Sequence, residues 1–357
     1  MTEYRDPWVD EGGRSSSGPY GEPRRFEVSP GFGPLPPRPD VNPYKLILRQ
    51  NSNAVCVSLT LMFGIGYMFV LLIQILALIV PGFGRALAGL SPVWGGLINM
   101  SVHILAFLLP TLLIVNLLNM PLSVAFPMRR PTARLTVPGV FCLFGMSVFG
   151  VYIAAFITVF MSTAAGITPS MPDFSPPLGR TEIIIYLISL SVIPAVFEEL
   201  LCRGAIMQSL RRFGDPFALV VSSILFAMMH RNFLQGPNAF LAGLVLGYFT
   251  LRSGSLIPAI IMHFINNLVT GFLLIFTQRM PAEYAQVLNF SVLTVYLALG
   301  AIGVVLMMAL NGGFKPLHQA STGLGEAQKY GLFFTAPLAI LFIVVTAILT
   351  WNFLDFG

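Results

Sequence analysis

The sequence predicts an all-α fold, a polytopic helical membrane bundle of eight to nine transmembrane helices, on three observations. Only 10% of the 357 residues are charged and 55% are hydrophobic, against about 25% charged in an average soluble domain. A soluble chain of this length would lack the charge to cover its surface, which excludes an ordinary cytosolic enzyme. Several uncharged apolar stretches reach roughly 20 residues, enough to cross a bilayer as helix. The roughly ten-residue alternating segments of a transmembrane β-barrel dominate nowhere.

Residues 1–43 hold nine of the 27 prolines, six glycines and the runs Ser15-Ser16-Ser17 and Pro36-Pro37-Arg38-Pro39. Such a segment buries too little apolar area to offset its ordering entropy. It is expected to be a disordered Pro/Gly/Ser-rich cytoplasmic tail, its PxxP spacings part of a solvated linker. Residues 44–357 form the expected multi-span membrane domain. The first apolar stretch starts only near Ala54, too late for a cleaved secretory signal, so the first span is expected to stay as an anchor.

Nine apolar segments follow, at about 54–80, 94–118, 136–164, 183–210, 217–231, 238–251, 256–277, 291–310 and 331–354. The fifth and sixth are short, which leaves the count at eight or nine. With the tail on one side, that side collects 15 Lys and Arg and the other four, while Arg203 lies inside a span. Basic residues collect in cytoplasmic loops, so the N-terminus is expected to be cytoplasmic and the chain an integral, multi-pass protein of a bacterial plasma membrane.

The net charge of +5 has the same explanation. No basic run interleaved with aromatics occurs, so nucleic acid is not an expected partner. Cys56, Cys142 and Cys202 all lie in apolar stretches. An odd number without CxxC argues against a disulfide framework or a thiolate metal site, and the three are expected to be packed thiols.

Ionisable groups inside a membrane cost roughly 2.5–3.5 kcal/mol each on insertion scales, so exceptions are informative. The fourth segment carries Glu198, Glu199 and Arg203. Glu199 and Arg203 are four apart, share a helix face and can pair. Glu198 lies about 100° round the helix with no such partner. Pro194, one turn earlier, removes a backbone bond beside it. The fifth segment ends in Phe226–His230, and the seventh holds His263, Asn266 and Asn267.

Each polar residue alone reads equally well as a structural contact between helices. Their depth favours convergence. At about 1.5 Å rise per residue, Glu198 lies roughly 20 Å from Arg211, His230 roughly 21 Å from Pro216 and Asn267 roughly 20 Å from Gly254. Three helices thus bring polar groups to one level, as a single site would require.

A carboxylate and an imidazole around one water molecule make a general base, and a second imidazole with an amide N–H can stabilise an oxyanion. The set fits peptide or amide hydrolysis by an activated water. Two His and a Glu could alternatively hold zinc as cofactor, and the residues leave a metal-bound and a carboxylate-activated water both open. No HExxH and no GxSxG occurs, and no Asp falls within any predicted span, which excludes an intramembrane aspartyl dyad.

Taken in order, EELLCR at 198–203, FAMMH at 226–230 and HFINN at 263–267 resemble the EExxxR, FxxxH and HxxxN motifs of the CPBP family of intramembrane endopeptidases. That family groups CAAX prenyl proteases with bacteriocin-processing and self-immunity proteins. The resemblance covers roughly 183–277, about a quarter of the chain. It implies Glu198 as the water-activating base assisted by His230, with His263 and Asn267 stabilising the oxyanion. Glu199 and Arg203 would orient and neutralise the first motif. The implied partners are membrane lipid and a peptide or membrane-protein substrate. The family has been discussed as metalloendopeptidase and as glutamate-dependent, so the resemblance fixes no cofactor.

Two other classes are set against this one. A non-enzymatic protein of bacteriocin immunity, or a scaffold of a signalling complex, would use the polar cluster to bind a partner's segment. A proton-coupled transporter would place Glu and His in the membrane as well, but the inverted repeats expected of one are not visible.

Overall fold

The computed structural model describes residues 42–172, 175–177 and 179–356. The expected disordered tail lies outside the described residues, apart from Asn42 and Pro43. These two start the first helix. Asn42 accepts a hydrogen bond from the Tyr44 amide at 2.9 Å, and Pro43 occupies the first helical position, where its missing N–H leaves nothing unpaired.

Ten main helices follow one another: α1 (Pro43–Ile79), α2 (Pro92–Leu117), α3 (Ala133–Ala165), α4 (Arg180–Phe213), α5 (Asp215–Met229), α6 (Gly236–Ser253), α7 (Ile257–Gln278), α8 (Ala282–Asn311), α9 (Glu326–Phe334) and α10 (Pro337–Trp351). Two strands of two residues, Thr168–Pro169 and Leu354–Asp355, pair antiparallel and tie the loop after α3 to the chain beyond α10. The fold is all-α and polytopic. Among the described residues six helices, α1 to α4, α7 and α8, are long and apolar enough to cross a membrane, and a seventh span is obtained if α9 and α10, bent by 70°, are taken together. The expected count of eight to nine included α5 and α6 as spans. At 15 residues, α5 reaches only about 22 Å, short of a hydrocarbon core of about 30 Å.

Two apolar clusters form the interior. One gathers Leu59 of α1, Leu201 and Ile206 of α4, Phe217 of α5, Phe333 of α9 and Phe342 of α10. The other gathers Phe144 of α3, Phe249 of α6, Met262 of α7 and Met307 of α8. Large apolar side chains such as Met68, Phe156, Phe290 and Ile348 remain exposed around the outside, the surface expected of a bundle solvated by lipid tails.

Hydrophobic contrast with lipid is small, so helix association in a membrane relies on close packing of small residues. The crossing of α3 and α8 shows this directly. A Cβ added at Gly145 would sit 2.6 Å from the Gly300 Cα, and one added at Gly300 would sit 2.6 Å from the Gly145 Cα. The two backbones touch there, and only glycine fits at both positions.

Helix α4 is continuous but not uniform. It is π-helical over Ile188–Val192 and Leu200–Ile206, with the α-helical turn Ile193–Glu199 between them. The perturbation expected at Pro194 takes the form of this first wide turn. Pro194 has no N–H for the carbonyl of Leu190, four residues back. Asn267 of α7 supplies the missing donor, its Nδ2 reaching Leu190 O at 3.2 Å. A backbone gap in one helix is thus closed by a side chain of another.

Candidate active site

The two adjacent glutamates of α4 have different surroundings. Glu199 is fully buried, and its Oε1 accepts from Arg203 Nη1 at 2.7 Å and from His263 Nδ1 at 2.8 Å. Arg203 is equally buried, and its guanidinium carbon lies 4.4 Å from the centroid of the Phe226 ring, so charge pairing and a cation–π contact both hold it. The four-residue spacing read from the sequence therefore forms as expected, with His263 as a third member.

Glu198 has no hydrogen bond among the described residues. Its carboxylate faces two imidazoles: His263 Nε2 is 3.9 Å from Oε2, and His103 Nε2 is 3.8 Å from Oε1. Both distances exceed a hydrogen bond. Glu198 is the uncommitted carboxylate and Glu199 the committed one, the distinction that helix faces alone predict.

His230 stands where α5 ends. Its Nδ1 lies 2.9 Å from the Phe226 carbonyl. A carbonyl only accepts, so Nδ1 carries the proton and Nε2 is left with its lone pair in the neutral ring. The chain turns sharply next, with Arg231 in the left-handed region at φ 56°. Asn232 ties this turn: its Nδ2 donates to the His230 carbonyl at 2.9 Å, and its Oδ1 accepts from the Gln235 amide at 2.8 Å. The same logic fixes His263. A carboxylate shared with Arg203 is ionised and accepts, so His263 Nδ1 donates to it and Nε2 points toward Glu198.

Phe226 joins the parts. Its ring centroid is 5.0 Å from that of His230 and 6.1 Å from that of His263, edge to face in both cases, and its other neighbour is Arg203. The structure therefore brings Arg203, His230 and His263 around one aromatic ring, with Glu199 bonded to two of them and Glu198 facing His263. Asn267 lies one helical turn from His263 and is engaged with Leu190 O; its amide keeps a second N–H. Asn266 donates to Asn267 Oδ1 at 3.4 Å.

The residue that sequence reading missed is His103 of α2. Its segment carries no second titratable group at helical spacing, so no pairing pattern marks it. Depth does. His103 is 14 residues from Leu117, where α2 ends, roughly 21 Å, the level already reached by Glu198, His230 and Asn267.

Among the described residues no three His, Cys, Asp or Glu side chains gather as a ligand set for a metal ion. Zinc bonds are about 2 Å long, whereas the imidazoles stand 3.8 and 3.9 Å from Glu198. As they stand, these donors do not make a zinc site. The thiols are uninvolved: Cys56 and Cys202 are buried, Cys142 half-buried, and all three are free.

Residues 180–269 match the family model described as type II CAAX prenyl endopeptidase Rce1-like. No curated protein and no solved structure matches the chain. The matched residues contain Glu198, Glu199, Arg203, His230, His263 and Asn267, and helices α1 to α3 and α8 to α10 lie outside them. Residues 180–269, the segment that builds the polar site, are thus similar to the Rce1-like type II CAAX prenyl endopeptidases.

Proposed function

We propose that the protein is an intramembrane endopeptidase that hydrolyses a peptide bond with a water molecule activated by Glu198. The observation that carries this reading is the unequal treatment of neighbouring carboxylates. Glu199 is locked by Arg203 and His263, while Glu198 faces imidazoles without bonding to anything described.

The chemistry follows from the donors and acceptors. Glu198 takes a proton from water, and the resulting hydroxide attacks the scissile carbonyl carbon. His230 Nε2, free because Nδ1 is held by Phe226 O, accepts the water's other hydrogen and aims its lone pair. The carbonyl oxygen becomes an oxyanion and receives hydrogen bonds from protonated His263 Nε2 and from the second N–H of Asn267. Glu199 beneath His263 stabilises the imidazolium. When the C–N bond breaks, Glu198 returns the proton to the leaving amine, so water is consumed and no proton is left over. Preorganised donors of this kind are worth about 2.7–4 kcal/mol each when removed.

The family's name points to substrates with a C-terminal prenylated Cys motif. A farnesyl chain would dissolve in the lipid around the bundle and present the adjacent bond to a site at membrane depth. The asymmetry of 15 basic residues against four supports a cytoplasmic N-terminus, as do substrates of cytoplasmic origin.

The test uses the full chain in liposomes with a farnesylated CAAX peptide and its unprenylated counterpart. Cleavage after the Cys of the farnesylated peptide is expected, with Glu198→Gln, His230→Ala and His263→Ala inactive yet folded. Equal cleavage of both peptides would remove the prenyl preference, and full activity in all three variants would remove the site.

A further inference from the structure

We propose that His103 is a positioning residue for Glu198, donating its Nε2–H to Glu198 Oε1 and so turning Oε2 toward the water. The proposal rests on Glu198 as base and deepens that reading. It adds a residue from α2, outside the segment matched by the family model.

Four observations support it. His103 Nε2 is buried and has no hydrogen-bond partner among the described residues, in a side chain about one third exposed; with the proton on Nε2, leaving that buried donor unpaired costs about 1–3 kcal/mol, so an acceptor is needed. The carboxylate oxygen facing it is Glu198 Oε1 at 3.8 Å. Closing by about 1 Å makes a normal bond, and bonds of active groups are commonly long before substrate binds. The ring lies stacked on Phe107, one turn along α2, with centroids 4.6 Å apart and planes at 17°, which fixes the direction of Nε2.

The fourth observation concerns the alternatives. The nearest donors are committed elsewhere or turned to other atoms: Arg203 Nη2 has no partner among the described residues, and His263 Nε2 stands 3.9 Å from Glu198 Oε2 rather than Oε1. Arg203 Nη1 and His263 Nδ1 both go to Glu199 Oε1, and His230 Nδ1 goes to Phe226 O. A base whose carboxylate can spin loses the alignment that proximity catalysis needs. His103 is the group placed to stop that rotation, with one carboxylate oxygen held and the other presented.

Substitution separates this role from a packing role. His103→Phe keeps the stack on Phe107 and removes the donor; His103→Gln keeps an N–H and removes the stack. In liposomes with the farnesylated peptide, His103→Phe is expected to lower kcat roughly 10–100-fold, the usual effect of losing an orienting partner, at unchanged KM. His103→Gln should recover most of that loss. Unchanged kcat in His103→Phe, a rise confined to KM, or equal loss in both variants would each overturn the proposal. Should Glu198→Gln prove as active as the parent, the base assignment itself fails. Should it be inactive while His103→Phe is fully active, only the positioning role fails.

A readout without turnover completes the test. The chain has four histidines, so imidazole nitrogen resonances of the 15N-labelled protein can be assigned by substitution. Glu198→Gln is expected to move the His103 Nε2 resonance. An unmoved resonance would overturn the proposal even in a preparation that cleaves no peptide.

Discussion

Glu199 on α4 and His263 on α7 are joined by a 2.8 Å hydrogen bond from imidazole Nδ1 to carboxylate Oε1, across 64 residues of sequence. The same oxygen receives Arg203, so this buried polar contact also fixes which nitrogen of a proposed oxyanion donor, Nε2, is turned toward Glu198.

Removing one member of that trio leaves a buried charge without its counterpart, which costs about 3–5 kcal/mol. Glu199→Gln and Arg203→Ala should therefore both lower the thermal midpoint in detergent sharply. The double variant Glu199→Gln/Arg203→Met should regain most of the stability, since apolar replacement of a buried pair is often neutral. Activity should stay low in the double variant because His263 Nδ1 has lost its ionised acceptor. Recovery of cleavage along with stability would show that Glu199 is only structural.

Pro194 and Asn267 form a second testable pair. Asn267→Leu leaves the Leu190 carbonyl without the donor that reaches it at 3.2 Å, a loss of about 1–3 kcal/mol. Pro194→Ala restores a backbone N–H in its place. The double variant should be more stable than Asn267→Leu alone, a coupling measurable by a double-mutant cycle. If Asn267 also serves the oxyanion, the double variant remains poorly active despite its stability.

At the α3–α8 crossing, Gly145→Ala would drive a Cβ to 2.6 Å from the Gly300 Cα. Overpacking of this kind costs about 1–3 kcal/mol, and here the obstacle is backbone. Gly64→Ala is the control, since nothing lies within 4 Å of its added Cβ. The expected order of thermal midpoints is parent and Gly64→Ala together, with Gly145→Ala well below.

The turn after α5 yields a further expectation. Arg231 sits at φ 56°, which suits glycine, whereas Asn232 holds the His230 carbonyl at 2.9 Å. Arg231→Gly should leave the peptidase rate within a few-fold of the parent. Asn232→Ala should lower it at least as much as it lowers stability, because the backbone that carries the imidazole loosens. Equal activity in both variants would separate this turn from the site.

Sequence carried the site further than it carried the architecture. Glu199 and Arg203 declared their pairing by spacing, and Glu198 its freedom by the face it occupies. Glu198, His230 and Asn267 declared a common level by counting residues to the helix ends. His103 was passed over because one imidazole on an otherwise apolar helix has the same spacing pattern as a packed side chain, and only its depth sets it apart. The contact of Asn267 with Leu190 was equally hidden: it depends on a π-helical register that hydropathy does not encode. Among the described residues six helices, or seven with α9 and α10 taken together, are long and apolar enough to cross a membrane, and the expected count of eight to nine rests on the shorter apolar segments of α5 and α6.

The spacing of Glu199 and Arg203 also bears on how the protein is made. Arg203 lies on the same helix as its counterion, so α4 can leave the ribosome and enter the bilayer already neutralised at that point, long before His263 has been synthesised. Glu198 has no such companion within its own helix. Its stable residence at membrane depth must await α2 and α7, which makes the final assembly of those helices, rather than the insertion of α4, the step at which the protein becomes competent.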